Sequence, residues 1–129
     1  MSAQQEFFTE MKTALIAKGY AVYDNTLPPD GTPYPFVYLA GSTVDGFGAK
    51  AQEAGIITQI IQVWGRSDMR GTLSRICEAV MLTARTLKES DNYAFAFQDD
   101  SQTQILNDNT TKTPLMQGYN SIRVFYSRK

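Results

Sequence analysis

The chain has 129 residues, 43% of them hydrophobic, with 12 basic and 13 acidic side chains and a formal net charge of −1. This length predicts a single domain, spanning residues 1–129, that is large enough to bury a core of its own. The near balance of charge argues against duplex nucleic acid as the main partner, because phosphate binding needs an excess of Lys and Arg.

The first element in chain order is an amphipathic helix from Gln4 to Lys18. Ser2 is placed to cap it, Gln5 would complete a capping box, and Gly19 is a usual end for a helix. Apolar residues at helical spacing predict the face that packs on the core: Phe7, Phe8, Met11, Leu15 and Ile16. A short strand candidate, Tyr20–Tyr23, follows.

Two loops then flank a strand. Asp24–Pro35 holds four of the five prolines, and proline fixes φ and removes a donor, so this segment is predicted to be an extended loop. Phe36–Ala40 is a predicted strand that Gly41 ends. Ser42–Gly55 is predicted to be a second long loop, because glycines punctuate it and it has little to bury. The alternative is two arms of a hairpin that pair only in an assembly.

Ile56–Trp64 is the strongest strand signal. It carries apolar residues on both faces, which favours a central position in the sheet. Gly65 leads from it into a second amphipathic helix, for which Ser67 or Asp68 is the predicted cap. The core stripe of that helix is spaced by three and four residues: Met69, Leu73, Ile76, Val80, Ala84 and Leu87.

The remaining segment predicts three strands and the turns between them. Tyr93–Phe97 alternates large and small side chains, and the turn Asp99–Ser101 leads to a short strand, Thr103–Leu106. Asn107–Pro114 is a predicted polar loop, and Gln117–Tyr126 closes the sheet. The predicted class is α+β, a single domain with a mainly antiparallel sheet of about five to six strands and two main helices packed on it.

Little in the sequence points to chemistry. There is no histidine, which removes the commonest general base and the commonest metal ligand. Cys77 lies beside the core stripe of the second helix and is predicted to be a small packing residue. Asp99 and Asp100 point apart in a turn, and the other acidic stretches lack the spacing of a calcium loop. We therefore predict no enzyme activity, catalytic residue, cofactor or metal.

The N-terminal residues Met1–Glu6 lack the basic start and apolar run of a signal peptide. No apolar stretch approaches the roughly 18 residues of a membrane span. We therefore expect synthesis in the cytoplasm and no membrane association. The seven tyrosines suit an interface, where they bury area and keep a polar tip, or an ordinary sheet.

The order of these pieces resembles the small tail-completion proteins of long-tailed phages and prophages, the tail terminator or tail-to-head joining family. Three features carry the likeness, which covers nearly the whole chain. They are the helix Gln4–Lys18 with its proline-rich loop and the strand Tyr34–Leu39; the variable loop that leads to Ile60–Trp64 and through Gly65–Ser67 into the second helix; and the strand Tyr93–Gln98, the polar loop and the closing strand Ser121–Tyr126.

This resemblance implies an α+β fold and a non-enzymatic structural role in the virion. Members of the family are taken to form a ring, which we expect to be a hexamer, at the head-proximal end of the tail tube. The expected partners are other copies of the chain, the tail tube protein and the head connector or head-completion protein, with no direct nucleic-acid readout. The expected location is the head–tail junction, after assembly in the host bacterial cytoplasm. A head-to-tail ring needs two different faces that match.

The predicted subunit or partner contacts lie in the loop Ser42–Gly55, in the loop Asn107–Pro114, and near the start of the second helix. They are Val44, Asp45, Phe47, Lys50, Glu53, Arg66, Arg70, Asp108, Asn109 and Lys112. For Arg66 and Arg70, surface ion pairs are the alternative. Other roles stay open: another head–tail connector or minor capsid component, a small ligand-binding or enzyme domain with a pocket under the second helix, or an adaptor that binds one partner.

Overall fold

The computed structural model describes residues 1–24, 26–48, 52–110 and 112–129. The elements of this part of the chain are α1 (Ala3–Ala17), β1 (Val22–Asp24), β2 (Phe36–Gly46), β3 (Ala54–Arg66), α2 (Arg70–Thr86), β4 (Tyr93–Phe97), β5 (Gln102–Asp108) and β6 (Leu115–Arg128). They form a six-stranded, mostly antiparallel sheet with two helices, so the predicted α+β class is confirmed.

The sheet is built around two long strands, β3 and β6. The strand order is β1-β2-β3-β6-β4, and β5 also pairs with β6. Because β3 occupies one edge of β6 along almost its whole length, β4 and β5 share the other edge end to end: β4 pairs with Val124–Arg128 and β5 with Leu115–Ser121. Only the β1–β2 pair is parallel among these strands. The predicted central position of the Ile56–Trp64 strand is confirmed.

Both helices pack on the same face of the sheet. The ring of Phe7 in α1 meets the ring of Phe95 in β4 edge-on, with centroids 5.2 Å apart. In α2, Cys77 packs against Gly118 and Asn120 of β6. Since Phe95 pairs with Tyr126, these sheet residues all lie on one face. The core therefore fills the space between the helices and this face, and neither helix covers the other face.

Two buried amides connect neighbouring strands inside this core. Asn120 Nδ2 donates to the carbonyl of Ile61 at 3.0 Å, and its Oδ1 accepts from the Thr103 hydroxyl at 2.8 Å. Gln59 Nε2 donates to the carbonyls of Ala40 at 3.2 Å and of Ile60 at 3.0 Å. These bonds supply partners for polar groups that burial would otherwise penalise, and they fix the strands in one register.

The predicted end of β2 at Gly41 is wrong. The strand bends there, because two residues of β2 lie opposite one of β3 between the Leu39 and Ser42 pairs, which makes a β-bulge. Beyond the bulge Ser42–Gly46 pairs with Gly55–Gln59 of β3, so both ends of the predicted loop Ser42–Gly55 are arms of a hairpin. The alternative of two hairpin arms is right, but the arms pair within one chain and need no assembly.

Several predicted helix details also change. Ser2 caps α1, since its Oγ accepts the Gln5 N–H at 3.1 Å, but the Gln5 side chain bonds Thr9 and no capping box forms. Ile16 is exposed rather than buried. The predicted caps Ser67 and Asp68 are wrong, because α2 begins after Met69 with no side-chain cap. The predicted core stripe of α2 is confirmed, with its four middle members buried and the two at its ends half-buried.

The predicted strand Thr103–Leu106 and loop Asn107–Pro114 also have different bounds. The strand begins at Gln102 and ends at Asp108. Its last two residues, Asn107 and Asp108, both pair with β6. Ladder pairing outweighs the turn preference of Asn107 and Asp108, so the loop begins only after them.

Gly118 tests how tightly α2 sits on the sheet. A Cβ added there would overlap Cys77 Sγ. We expect Gly118→Ala to lower the free energy of unfolding by about 1–3 kcal/mol, as overpacking does, and Cys77→Ala in the same chain to restore part of that loss. Gly71→Ala is the control, because its Cβ would meet nothing closer than Arg75 at 3.7 Å, and it should stabilise α2 by up to about 1 kcal/mol. Denaturant unfolding compares these three variants with the native chain, and a Gly118→Ala variant of unchanged stability would contradict this packing.

Candidate interaction surface

The sheet face that the helices leave open carries large apolar side chains. Along β3 one set of side chains is buried and the alternate set is half-buried, and β6 alternates in the same way from Met116 to Ser127. The half-buried apolar members on β2, β3 and β6 are Tyr38, Ile56, Ile60, Trp64, Tyr119 and Phe125. Aromatic groups of this kind are enriched in protein interfaces, so the open face can meet a partner without refolding.

The β2–β3 hairpin is a second exposed feature. Phe47, just past the end of β2, is 52% exposed, and its ring centroid lies 5.8 Å from that of Phe125 on the open face. Val44 is 39% exposed, and Asp45 and Glu53 are exposed. The hairpin therefore presents an aromatic group flanked by carboxylates. The predicted contact Lys50 lies outside the described residues.

The other predicted contacts lie around the opposite end of β3. Arg66 pairs with Leu115 in the ladder and makes an ion pair with Asp68 at 3.4 Å. Arg70, Asn109 and Lys112 are exposed. The ion pair is of the surface kind that contributes little to stability.

Asp108 makes two hydrogen bonds with Thr110. Its Oδ1 accepts from the N–H and the hydroxyl of Thr110, at 2.9 and 2.6 Å. These bonds hold the pKa of Asp108 below its usual range. The turn that leads from β5 towards β6 thus begins in a fixed conformation.

The predicted contacts therefore fall into two groups. Val44, Asp45, Phe47 and Glu53 flank the start of β3, where Ala54 pairs with Ser127, while Arg66 and Asp108 both pair with Leu115 at its far end. A strand of 13 residues spans about 40 Å at its ordinary rise per residue. The structure does not bring the groups together, so a single compact site does not form from them.

The described residues offer little for catalysis. They contain no cluster of three or more His, Cys, Asp or Glu side chains suited to a metal ion. Burial raises the pKa of the Cys77 thiol, which outweighs the bond from Asn120, so this group stays protonated at neutral pH. None of the described helices is long and apolar enough to cross a membrane.

Glu6 is a buried carboxylate that the sequence did not single out. Its Oε1 accepts from the Ser90 hydroxyl at 2.6 Å and from the Asn92 N–H at 3.0 Å, and its Oε2 accepts from Asn92 Nδ2 at 3.0 Å. Burial raises the pKa of Glu6, but these bonds outweigh it and leave the pKa below its usual range. Glu6 therefore ties the first turn of α1 to the start of β4 in a structural role.

Comparison with known proteins supports the fold. No family model and no curated protein matches the chain. Among solved structures, it is similar to a chain of the virion of a native gene transfer agent particle, with a TM-score of 0.59 and 16% sequence identity over 96% of this chain and 95% of that one. A second solved chain, whose name describes no activity, gives a TM-score of 0.54 and 12% identity over 97% of this chain and 92% of that one.

Glu6 gives a test in the pH dependence of stability. A carboxylate whose pKa is lowered in the folded state stabilises the fold above the ordinary carboxyl pKa and loses that effect as the pH falls through the folded value. We expect Glu6→Gln to lower the free energy of unfolding by about 1–3 kcal/mol at neutral pH, because Ser90 and Asn92 lose a charged acceptor. The difference in the free energy of unfolding between the native chain and the variant should become smaller below about pH 4.

Urea unfolding across a pH series measures this difference. Glu10→Gln, on the same helix but outside the cluster, is the control and should stay within about 0.5 kcal/mol of the native chain. A Glu6→Gln variant as stable as the native chain at every pH would show that the cluster contributes nothing.

Proposed function

We propose that this chain, folded as one domain, is a virion structural protein that caps the head-proximal end of a phage tail tube as a ring, a hexamer, and joins the tail to the head. The observation that carries the proposal is the fold shared, over 96% of the chain, with a chain of a gene transfer agent virion. That protein is part of a particle, and the sequence resemblance to tail-completion proteins favours the same kind of role here.

The geometry of the candidate contacts supports this role. A protein placed between a tail tube and a head connector needs two separate contact regions. The hairpin group and the Arg66–Asp108 group lie at opposite ends of β3, about 40 Å apart at the usual rise of a strand. We assign the hairpin end to the tail tube or a neighbouring subunit, and the other end to the head connector.

The mechanism is steric and needs no catalytic residue. A bound ring covers the surface onto which the next tube ring would add, so polymerisation stops. Phe47 is the strongest anchor on the hairpin, because an exposed aromatic side chain that becomes buried in an interface contributes more than most other residues. The contact between the aromatic rings of Phe47 and Phe125 holds the Phe47 side chain in place before a partner binds.

The direct test is electron microscopy of lysates from the parent phage or prophage with this gene deleted. We expect overlong tail tubes, or heads beside tails that fail to join, and recovery when the native gene is supplied in trans. Tails of normal length joined to heads would contradict the proposal. Normal tail length with unjoined heads would instead favour another connector component.

Phe47 gives a sharper test in the same assay. We expect Phe47→Ala to fold normally, since the side chain is 52% exposed, and to reduce the yield of joined particles at least about tenfold, as the loss of an aromatic anchor does. Lys18→Ala is the control, because Lys18 at the end of α1 is exposed and belongs to neither group of candidate contacts. Equal particle yields from both variants would remove Phe47 from the contact.

A further inference from the structure

Half of β2 has an unpaired edge. The short strand β1 pairs only with Val37, Tyr38 and Leu39. Beyond them, Ala40–Gly46 has β3 on one side and no strand on the other among the described residues. The carbonyls of Ala40 and Gly41 accept from Gln59 Nε2, and the outward backbone groups of the rest of this segment meet no other strand of the described chain, so another strand can add there. We call this edge, with the part of α1 above it, the β2 rim.

The opposite side of the sheet has a second open edge. β5 pairs with β6 and with no other strand of the described chain. It is seven residues long, as long as Ala40–Gly46, and neither segment contains Lys, Arg or Pro, the residues that usually protect a strand edge against pairing. We call this edge, with the part of α2 above it, the β5 rim.

A groove runs between helix and strand on each rim. On the β2 rim, Phe8, Lys12 and Ile16 of α1 line a groove beside Ala40–Ser42. On the β5 rim, Met81, Leu82 and Arg85 of α2 line a groove beside Thr103. Ile16 is 50% exposed and Leu82 is 54% exposed. Each rim thus places an exposed apolar group of a helix next to an open strand edge.

The two rims match in strand direction, and the groove on each of them is balanced in charge. β2, β3, β6 and β5 alternate in direction, so β2 of a second copy placed beside β5 would continue the antiparallel pattern. The β2 groove holds one cation and one anion, Lys12 and Asp24, paired at 2.8 Å. The β5 groove holds Arg85 and Glu78. Each groove is therefore balanced in charge, and each strand edge adds one carboxylate, Asp45 on β2 and Asp108 on β5.

We infer that copies of this chain join rim to rim: Ala40–Gly46 of one copy pairs antiparallel with Gln102–Asp108 of the next, and the apolar groups of α1 and α2 meet above the joined strands. This inference rests on the proposed function in that it names the contact between ring subunits. The contact uses two different surfaces of each copy, as a ring requires. Main-chain hydrogen bonds supply affinity, as in other cases of strand addition.

Disulfide trapping tests the contact on the full chain. Thr43 faces the open side of the sheet opposite Thr58, and Gln104 does so opposite Tyr119, so the two side chains lie on the same face of a continued sheet. Thr43→Cys is combined in turn with Gln102→Cys, Gln104→Cys and Leu106→Cys. Each concentrated protein is oxidised with copper phenanthroline. Cys77 is buried, so the native chain is the blank.

We expect one of the three pairs to give a ladder of dimers, trimers and larger products, because only cysteines that meet in register are close enough to bond. An equal mixture of the two corresponding single variants should stop at dimers. The matched control combines Thr58→Cys on the open face with Lys18→Cys at the end of α1. It should give only the products of random collision. Thermal melting of each reduced variant shows that it is folded.

Two results would overturn the inference. One is the absence of a ladder above the control in all three pairs, and the other is strong dimer formation by Gln104→Cys alone, which indicates two-fold pairing of β5 with itself. Failure here is separable from failure of the proposed function. If gene deletion gives unjoined or overlong tails but disulfide trapping gives no ladder, only the rim-to-rim contact is wrong. If trapping gives a ladder but gene deletion leaves normal particles, only the proposed role in the tail is wrong.

Discussion

The pairing of β3 with β6 is the constraint on which the rest of the structure depends. Thirteen residue pairs join the two strands, from Ala54 with Ser127 to Arg66 with Leu115. Every other strand joins the sheet at the outer edge of one of them or of β2. Because side chains alternate along a strand, a slip of one residue in this pairing would turn the core set towards solvent. The buried bonds of Asn120 and Gln59 oppose such a slip, since a shifted register would leave these amides without partners.

The same pairing explains why one face of the sheet and two of its strand edges are left uncovered. With both helices on one face, most of the second face of the two long strands stays open, and the proline-rich segment lies beside it only at the Trp64 end. The edges stay open too, since β1 is only three residues long and β5 pairs with no strand other than β6 among the described residues. A protein that acted alone would be expected to cover or charge such surfaces. Open strand edges and exposed aromatic groups of this kind are places where a further chain can add.

The sequence predicts the periodic elements well and the tertiary contacts poorly. Both helices, the central β3 and its two faces follow from local spacing. The continuation of β2 past Gly41 does not, because it depends on a bulge held by Gln59, which lies 18 residues away in the chain. Glu6 was missed for the same reason, as its partners are 84 to 86 residues away. The candidate contacts were chosen as exposed loop residues, and nothing local shows that they fall at two ends of one strand.

The position of β6 has a consequence for how the protein is made. β6 follows all the other strands in the chain, yet it pairs with three of them, β3, β4 and β5. A ribosome that has made only the earlier elements holds two helices and β1–β5 without the strand that completes their core. The sheet therefore cannot be completed until residues 115–128 have left the ribosome, although domains often begin to fold during synthesis. The β5 edge exists only once β6 is present, since β6 is the one strand of the described chain that pairs with β5, so a chain that stops before residue 115 cannot form the β5 rim.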